Sequence, residues 1–171
     1  MTAWRQENKG WGQKGPIAAG IFAVFAVLFG ALGPMAARAA STERVVTNHH
    51  TGLAIDGYDP VGYFIQSRLV AGKAGIETYQ GGAIWRFSDE RDRDIFLSAP
   101  DIYGPPFGGY DPIDLAHGRI VAGQPTLWLV YRQRLYLFSR IENREAFTAD
   151  SSSLAKATDK WPVLSQSLAD Y

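Results

Sequence analysis

Apolar and polar positions alternate through Trp85-Arg86-Phe87-Ser88 and then change period, because the next apolar residues, Ile95 and Phe96, follow a charged stretch at helical spacing. The same succession returns in Tyr136-Leu137-Phe138-Ser139 and Arg144-Glu145-Ala146-Phe147. Both copies read aromatic, any residue, Phe, Ser, a four-residue gap, Arg, acid, any residue, Phe, and they align without an insertion. A strand running into a helix, used twice, accounts for the pattern. The alternating aromatics suit a half-buried strand, the Ser suits a helix N-cap, and the later Phe returns to the core on the helical face. Ser139 followed three residues on by Glu142 makes a capping box.

Around these two phrases the pattern predicts two hairpins. The first joins 76–79 to 83–87 through Gln80-Gly81-Gly82, and the second joins 126–131 to 135–138 through Arg132-Gln133-Arg134. A helix is expected from about Asp89 to Ser98, stopped by Ala99-Pro100, and its counterpart from Arg140 to Ala149. Upstream, Ser41 to Thr51 reads as a flexible arm, Leu53-Ala54-Ile55 as the start of an edge strand, and Asp59-Pro60 as a turn. Pro100, Pro105, Pro106, Gly108 and Gly109 force a tight course between Asp101 and Gly109. A short helix follows, with Asp111 as cap, Pro112 at its first position, Asp114 at its positive end and Gly118 as its stop. A last helix through Leu154 and Ala157 is expected to be interrupted at Trp161-Pro162. The fold class expected is α+β, two strand-hairpin-plus-helix units packed into one small domain over 53–165, with 166–171 as a tail.

The first forty residues carry an address. Arg5, Lys9 and Lys14 precede an apolar run from Ile17, and Ala37-Arg38-Ala39 offers a small-x-small cleavage site. Residues 1–40 therefore read as a signal peptide, and the competing reading is an uncleaved membrane anchor. The protein is expected to be periplasmic or secreted, or else membrane-anchored and facing the periplasm, with the leader as its only membrane contact. Without the leader, the seventeen basic and seventeen acidic residues of the chain become a net charge of about −3. Basic side chains interleave with acids, as in Asp89-Glu90-Arg91-Asp92-Arg93-Asp94, so no stripe tracks phosphates and no nucleic-acid partner is expected. The chain has no cysteine. Thiolate nucleophiles, iron–sulfur ligation and zinc–cysteine sites are thereby excluded, and stability must come from packing of five Trp, eight Tyr and nine Phe.

Tyr58-Asp59-Pro60-Val61-Gly62-Tyr63-Phe64, the Trp85-x-Phe87-Ser88 helix entry, Phe107-Gly108-Gly109-Tyr110, Leu135-Tyr136-Leu137 and Lys160-Trp161-Pro162-Val163-Leu164 occur in this order. Together they resemble the YHS-domain family in its longer, exported form. The resemblance implies a compact α+β domain, in a family associated with metal binding through cysteine and found beside heavy-metal handling proteins. Where that family usually reads Gly-Gly-Tyr-Cys, this chain has Gly108-Gly109-Tyr110-Asp111. A carboxylate is a hard oxygen ligand and cannot replace a thiolate toward a soft ion, so the usual metal role is expected to be lost or altered.

Other chemistry is sparse. Asp111, Asp114 and His117, spaced by three and three, form a candidate divalent-metal set, against which stands their simpler use as cap, first-turn acid and residue at the helix's negative end. His49 and His50 are a second candidate metal pair, in the arm. Ser88 and Ser139 read as caps, Asp56 and Asp59 as turn acids, and no Gly-x-Ser-x-Gly elbow, dinucleotide fingerprint or phosphate-cradling loop is present. Tyr58, Tyr63 and Tyr110, with Phe64, Tyr103 and Phe107, are candidates to line a pocket at the Pro- and Gly-rich segments. The expected function is that of an exported, non-enzymatic YHS-like binding or accessory domain for an unassigned small ligand or exported protein partner, with no cofactor. Its competitors are a periplasmic metal-binding protein using the His and Asp residues above and, behind it, a small hydrolase built on His117.

Overall fold

The structure, a computed structural model, describes residues 44–168; the leader and positions 169–171 of the tail lie outside the described residues. The fold is α+β. In chain order it has α1 (Gly62–Ile65), β1 (Glu77–Gln80), β2 (Ala83–Arg86), α2 (Glu90–Ser98), α3 (Pro100–Tyr103), α4 (Pro112–Ala116), β3 (Gln124–Tyr131), β4 (Arg134–Phe138), α5 (Ile141–Ala149) and α6 (Ser153–Ser167). The two strand pairs are separate antiparallel hairpins, with Tyr79 opposite Ile84 in the first and Val130 opposite Leu135 in the second. Among the described residues no helix is long and apolar enough to cross a membrane.

The strand-to-helix phrase is the second half of a longer duplication. Ile55-Asp56-Gly57 and Phe107-Gly108-Gly109 each put three successive residues at positive φ, between 45° and 94°. Each turn leads into Tyr-Asp-Pro followed by Val61 or Ile113. Val70-Ala71-Gly72 and Val121-Ala122-Gly123 then return to pair with these segments. Gly72 donates to the Gly57 carbonyl and Gly123 to that of Gly109, while Asp59 and Asp111 donate their amides to Val70 and Val121. Both returning glycines are required by close approach, since a Cβ on Gly72 would lie 2.7 Å from the Arg86 backbone and one on Gly123 2.7 Å from that of Leu137.

The hairpin turns show the duplication at unequal cost. The first is closed by Gly81 and Gly82, for which positive φ is free; the second by Arg132 and Gln133, held at φ 49° and 57°. A left-handed backbone costs a side-chain-bearing residue roughly 1–2 kcal/mol. Gln133→Gly is therefore expected to stabilise the protein by about 0.5–1 kcal/mol after the greater freedom of glycine in the unfolded chain is allowed for, visible as a higher thermal midpoint.

Strand β4 is buried on both faces and divides the core. Leu135 and Leu137 join Ala54, Ile55, Val61, Tyr63, Trp85, Phe87 and Phe96, whereas Tyr136 and Phe138 point the other way onto Ile113 and Phe147. A third cluster joins Tyr110, Leu115 and Ala116 of the α4 region to Ala157, Trp161 and Leu164 of α6 and to Leu168 at its C-cap. That last contact explains why α6 does not stop where a proline was expected to interrupt it. Pro162 lies inside the helix, which runs to Ser167 because Ala157, Trp161 and Leu164 form one apolar stripe seated on α4. Lys160 also donates Nζ to the Ala116 carbonyl at 2.9 Å, capping α4. The described part of the expected flexible arm, residues 44–51, is held to the domain: Val46 donates to the Gly108 carbonyl, Asn48 donates to that of Leu53, and Thr47 bridges Ala54.

Candidate functional site

Each half of the duplication is built around a fully buried aspartate. Asp59 accepts from the Val61 amide through Oδ1 at 2.9 Å and, across the fold, from the Ser88 amide through Oδ2 at 2.7 Å. Asp111 does the same with the Ile113 amide at 2.8 Å and the Ser139 amide at 2.7 Å. In each case the carboxylate ties the start of the Tyr-Asp-Pro segment to the point where strand becomes helix. Ser88 and Ser139 are therefore not N-caps. The caps are Asp89, which accepts from the Asp92 amide, and Arg140, whose side chain makes no cap bond. The serine one residue earlier is consumed by the acid: Ser139 Oγ donates to Asp111 at 2.9 Å, with Asp114 also 2.9 Å away, and Ser88 Oγ donates to Asp92 at 3.1 Å.

The halves differ in the next partner. In the second, Asn143 Nδ2 donates to Asp111 at 2.7 Å and Asp114 at 3.0 Å. Asp114 is also fully buried and takes Arg119 Nε at 3.1 Å and Arg119 Nη2 at 2.5 Å, with Arg140 at 3.4 Å. Burial alone would raise the Asp114 carboxyl, but hydrogen bonds from Arg119 and Ser139 and the charges of Arg140 and Arg119 outweigh it and hold the group below its ordinary range. In the first half the residue aligned with Asn143 is Asp92. Burial, then the hydrogen bond and negative charge of Asp59, push the Asp92 carboxyl up to about 6, against the opposing hydrogen bond from Ser88.

This geometry decides how the candidate metal ligands can act. Asp111 and Asp114 do converge, but on Ser139 and Asn143, and Asp111 receives five hydrogen bonds from Ile113, Asp114, Ser139 (two) and Asn143. A cation there would have to displace those donors and sit beside Arg119 and Arg140, so this donor set does not fit a metal ion. His117 is exposed at the end of α4, where its Nδ1 donates to the Ile113 carbonyl at 2.7 Å. His49 and His50 lie exposed in a turn fastened by Asn48, whose Oδ1 accepts from the His50 amide. Among the described residues no group of three or more His, Asp or Glu side chains is placed to hold a metal.

The three candidate pocket tyrosines are spent on packing. Tyr63 is buried, edge-on to Trp128, and donates its hydroxyl to the Pro125 carbonyl at 3.1 Å, with burial pushing its phenol well above the usual range. Tyr110 is buried against Trp161, and Tyr58 is half-buried against the first core cluster. Asp56 is exposed and accepts from Asn48, so it does not pair with Asp59.

The Pro- and Gly-rich segment nevertheless borders an open groove of about 390 Å³. Its walls come from the first hairpin turn, α3, the segment from Gly104 to Gly108, the start of β4 and α6. Trp85, Phe107 and Trp161 contribute its aromatic surface, and Arg44, Arg134 and Asp101 its charges. Arg134 Nε is buried and makes no hydrogen bond among the described residues. Of the groove residues, sequence reasoning identified only the proline–glycine segment and Phe107. Arg134 reads in sequence as an ordinary basic residue after a turn. Compared with family models, with curated proteins and with solved structures, the chain finds no match in any of the three.

Proposed function

We propose that this chain is an exported, non-enzymatic binding or accessory domain of the YHS type, in which the aspartate at the family's cysteine position serves as a structural hub. The reading rests above all on Asp111, a fully buried carboxylate whose two oxygens receive five internal hydrogen bonds. Asp59 repeats the role in the other half. Both carboxylates hold backbone segments together, and the five donors on Asp111 leave neither of its oxygens without an internal partner. Export is supported by the leader's basic start, apolar run and small-residue cleavage motif. The serines a hydrolase would draw on are engaged with buried acids, and His117 is oriented by a backbone carbonyl and not by a carboxylate.

Turnover of 4-nitrophenyl acetate and 4-nitrophenyl phosphate provides the test. The expected outcome is a rate indistinguishable from buffer for both wild type and His117→Ala. Saturable turnover by the wild type that His117→Ala abolishes would overturn the reading in favour of a hydrolase.

A further inference from the structure

We infer that the groove between the first hairpin turn, the Gly104–Gly108 segment and α6 binds a small carboxylate with a flat apolar body, the carboxylate on Arg134 and the body against Phe107 and Trp161. The inference rests on the binding-domain reading and gives it a site and a ligand class.

Three observations carry it. The first is the state of Arg134. A guanidinium has five N–H donors, and its Nε–H and adjacent Nη–H form the edge that matches a carboxylate with two parallel hydrogen bonds. Here Nε is out of contact with water yet has no partner, an unsatisfied donor in a protein where Arg119, Arg86 and Trp85 all have theirs. An anion entering the groove meets the Nη donors, and it reaches the Nε–H only when the Arg134 side chain turns that edge toward the groove.

The second is the balance of charge. Arg44 and Arg134 face the groove against the single acid Asp101, although the exported part of the chain is acidic as a whole. A local positive site on an acidic protein favours an anion there over elsewhere on the surface. The third is shape. Phe107 and Trp161 are half-buried, packed edge to face at 5.8 Å, and held by the left-handed turn at Phe107-Gly108 and by the seating of α6 on α4. Rigid aromatic faces suit a flat ring, and a groove of about 390 Å³ is of small-ligand size. Gly108 has to be glycine for this wall to form, because a Cβ there would lie 1.7 Å from the Arg44 carbonyl oxygen.

The test uses 2-naphthoate as probe and 2-naphthylmethanol as its uncharged counterpart. Each is titrated into ¹⁵N-labelled protein produced with its own leader and purified as the cell leaves it. Expected are saturable shifts of the Gly81, Gly104 and Gly108 amides and the Trp161 indole with naphthoate. The alcohol should bind about tenfold more weakly, and Arg134→Gln should weaken naphthoate about tenfold while keeping a dispersed spectrum. Should Arg134→Gln lose that dispersion, Arg44→Gln at the exposed rim decides, with a threefold or greater weakening expected. The inference is overturned if naphthoate gives no saturable shift at these residues, if the alcohol binds equally well, or if the arginine variant that decides binds naphthoate like wild type. Any of these leaves the nitrophenyl ester result untouched, so failure of the ligand class and failure of the binding-domain reading are distinguishable.

Discussion

Asp111→Asn should unfold at a much lower denaturant concentration than wild type, with a loss of about 3–5 kcal/mol in urea titrations followed by far-UV circular dichroism. The amide keeps one acceptor oxygen but replaces the other with a donor. Whichever way it turns, donors that now point at carboxylate oxygens lose their acceptor: the Ser139 amide and hydroxyl and Asn143 on one side, or the Ile113 and Asp114 amides on the other. Each buried unsatisfied donor costs about 1–3 kcal/mol, and the costs fall short of a simple sum because the site relaxes. Asp94→Asn, on the exposed face of α2, should leave the midpoint unchanged. An Asp111→Asn midpoint equal to that of wild type would mean that this acid does not tie the two segments together.

The aligned position in the other half predicts a change of opposite sign. Asp92→Asn should stabilise the protein at pH 7 by about 1–2 kcal/mol and raise the thermal midpoint by roughly 5 °C, because asparagine there can donate to Asp59 as Asn143 does to Asp111. The pH dependence follows from the raised carboxyl of Asp92. Its folded-state value of about 6 lies above the ordinary 3.8, so the native protein retains a proton that the unfolded chain releases. Its stabilisation is complete below about pH 4 and is lost as pH rises through 6. Asp114 acts in the other direction: its lowered carboxyl contributes stability that is present above the ordinary carboxylate range and lost as pH falls below it. Wild type should therefore be most stable in mildly acidic solution and weaken toward neutrality, while Asp92→Asn should be nearly level between pH 5 and 7. Thermal unfolding across that range checks both curves, and a wild-type protein as stable at pH 7 as at pH 5 would contradict the raised carboxyl of Asp92.

The hairpins, α2, α5 and the capping of α4 by Asp111 were legible in the sequence because each is a local device: alternation, a two-glycine turn, a proline at the first helical position. The roles of Ser88 and Ser139 were not. A serine at a strand-to-helix boundary satisfies the rule for a cap, and only the tertiary fold brings a buried acid from a distant segment within reach of its amide and hydroxyl. One signal for that acid was present and unread: Gly-Tyr-Asp-Pro and Val-Ala-Gly each occur twice, ahead of the repeated strand and helix, which pairs Asp59 with Asp111 as equivalents. Continuation of α6 past Pro162 depends on its seat on α4 and is likewise non-local. Arg134 left no trace in the pattern, because the closing of its Nε from solvent is a property of the tertiary fold.

Asp111 is read as a structural hub and not as a metal ligand. Elemental analysis of protein purified without a histidine tag, after anaerobic loading with Cu(I) and separately with Zn(II) and exchange into metal-free buffer, tests it most directly. The account predicts far less than one ion per chain for either metal, and a thermal midpoint that neither loading nor EDTA moves. One ion retained per chain, released on Asp111→Asn or His117→Ala and raising the midpoint when bound, would contradict it.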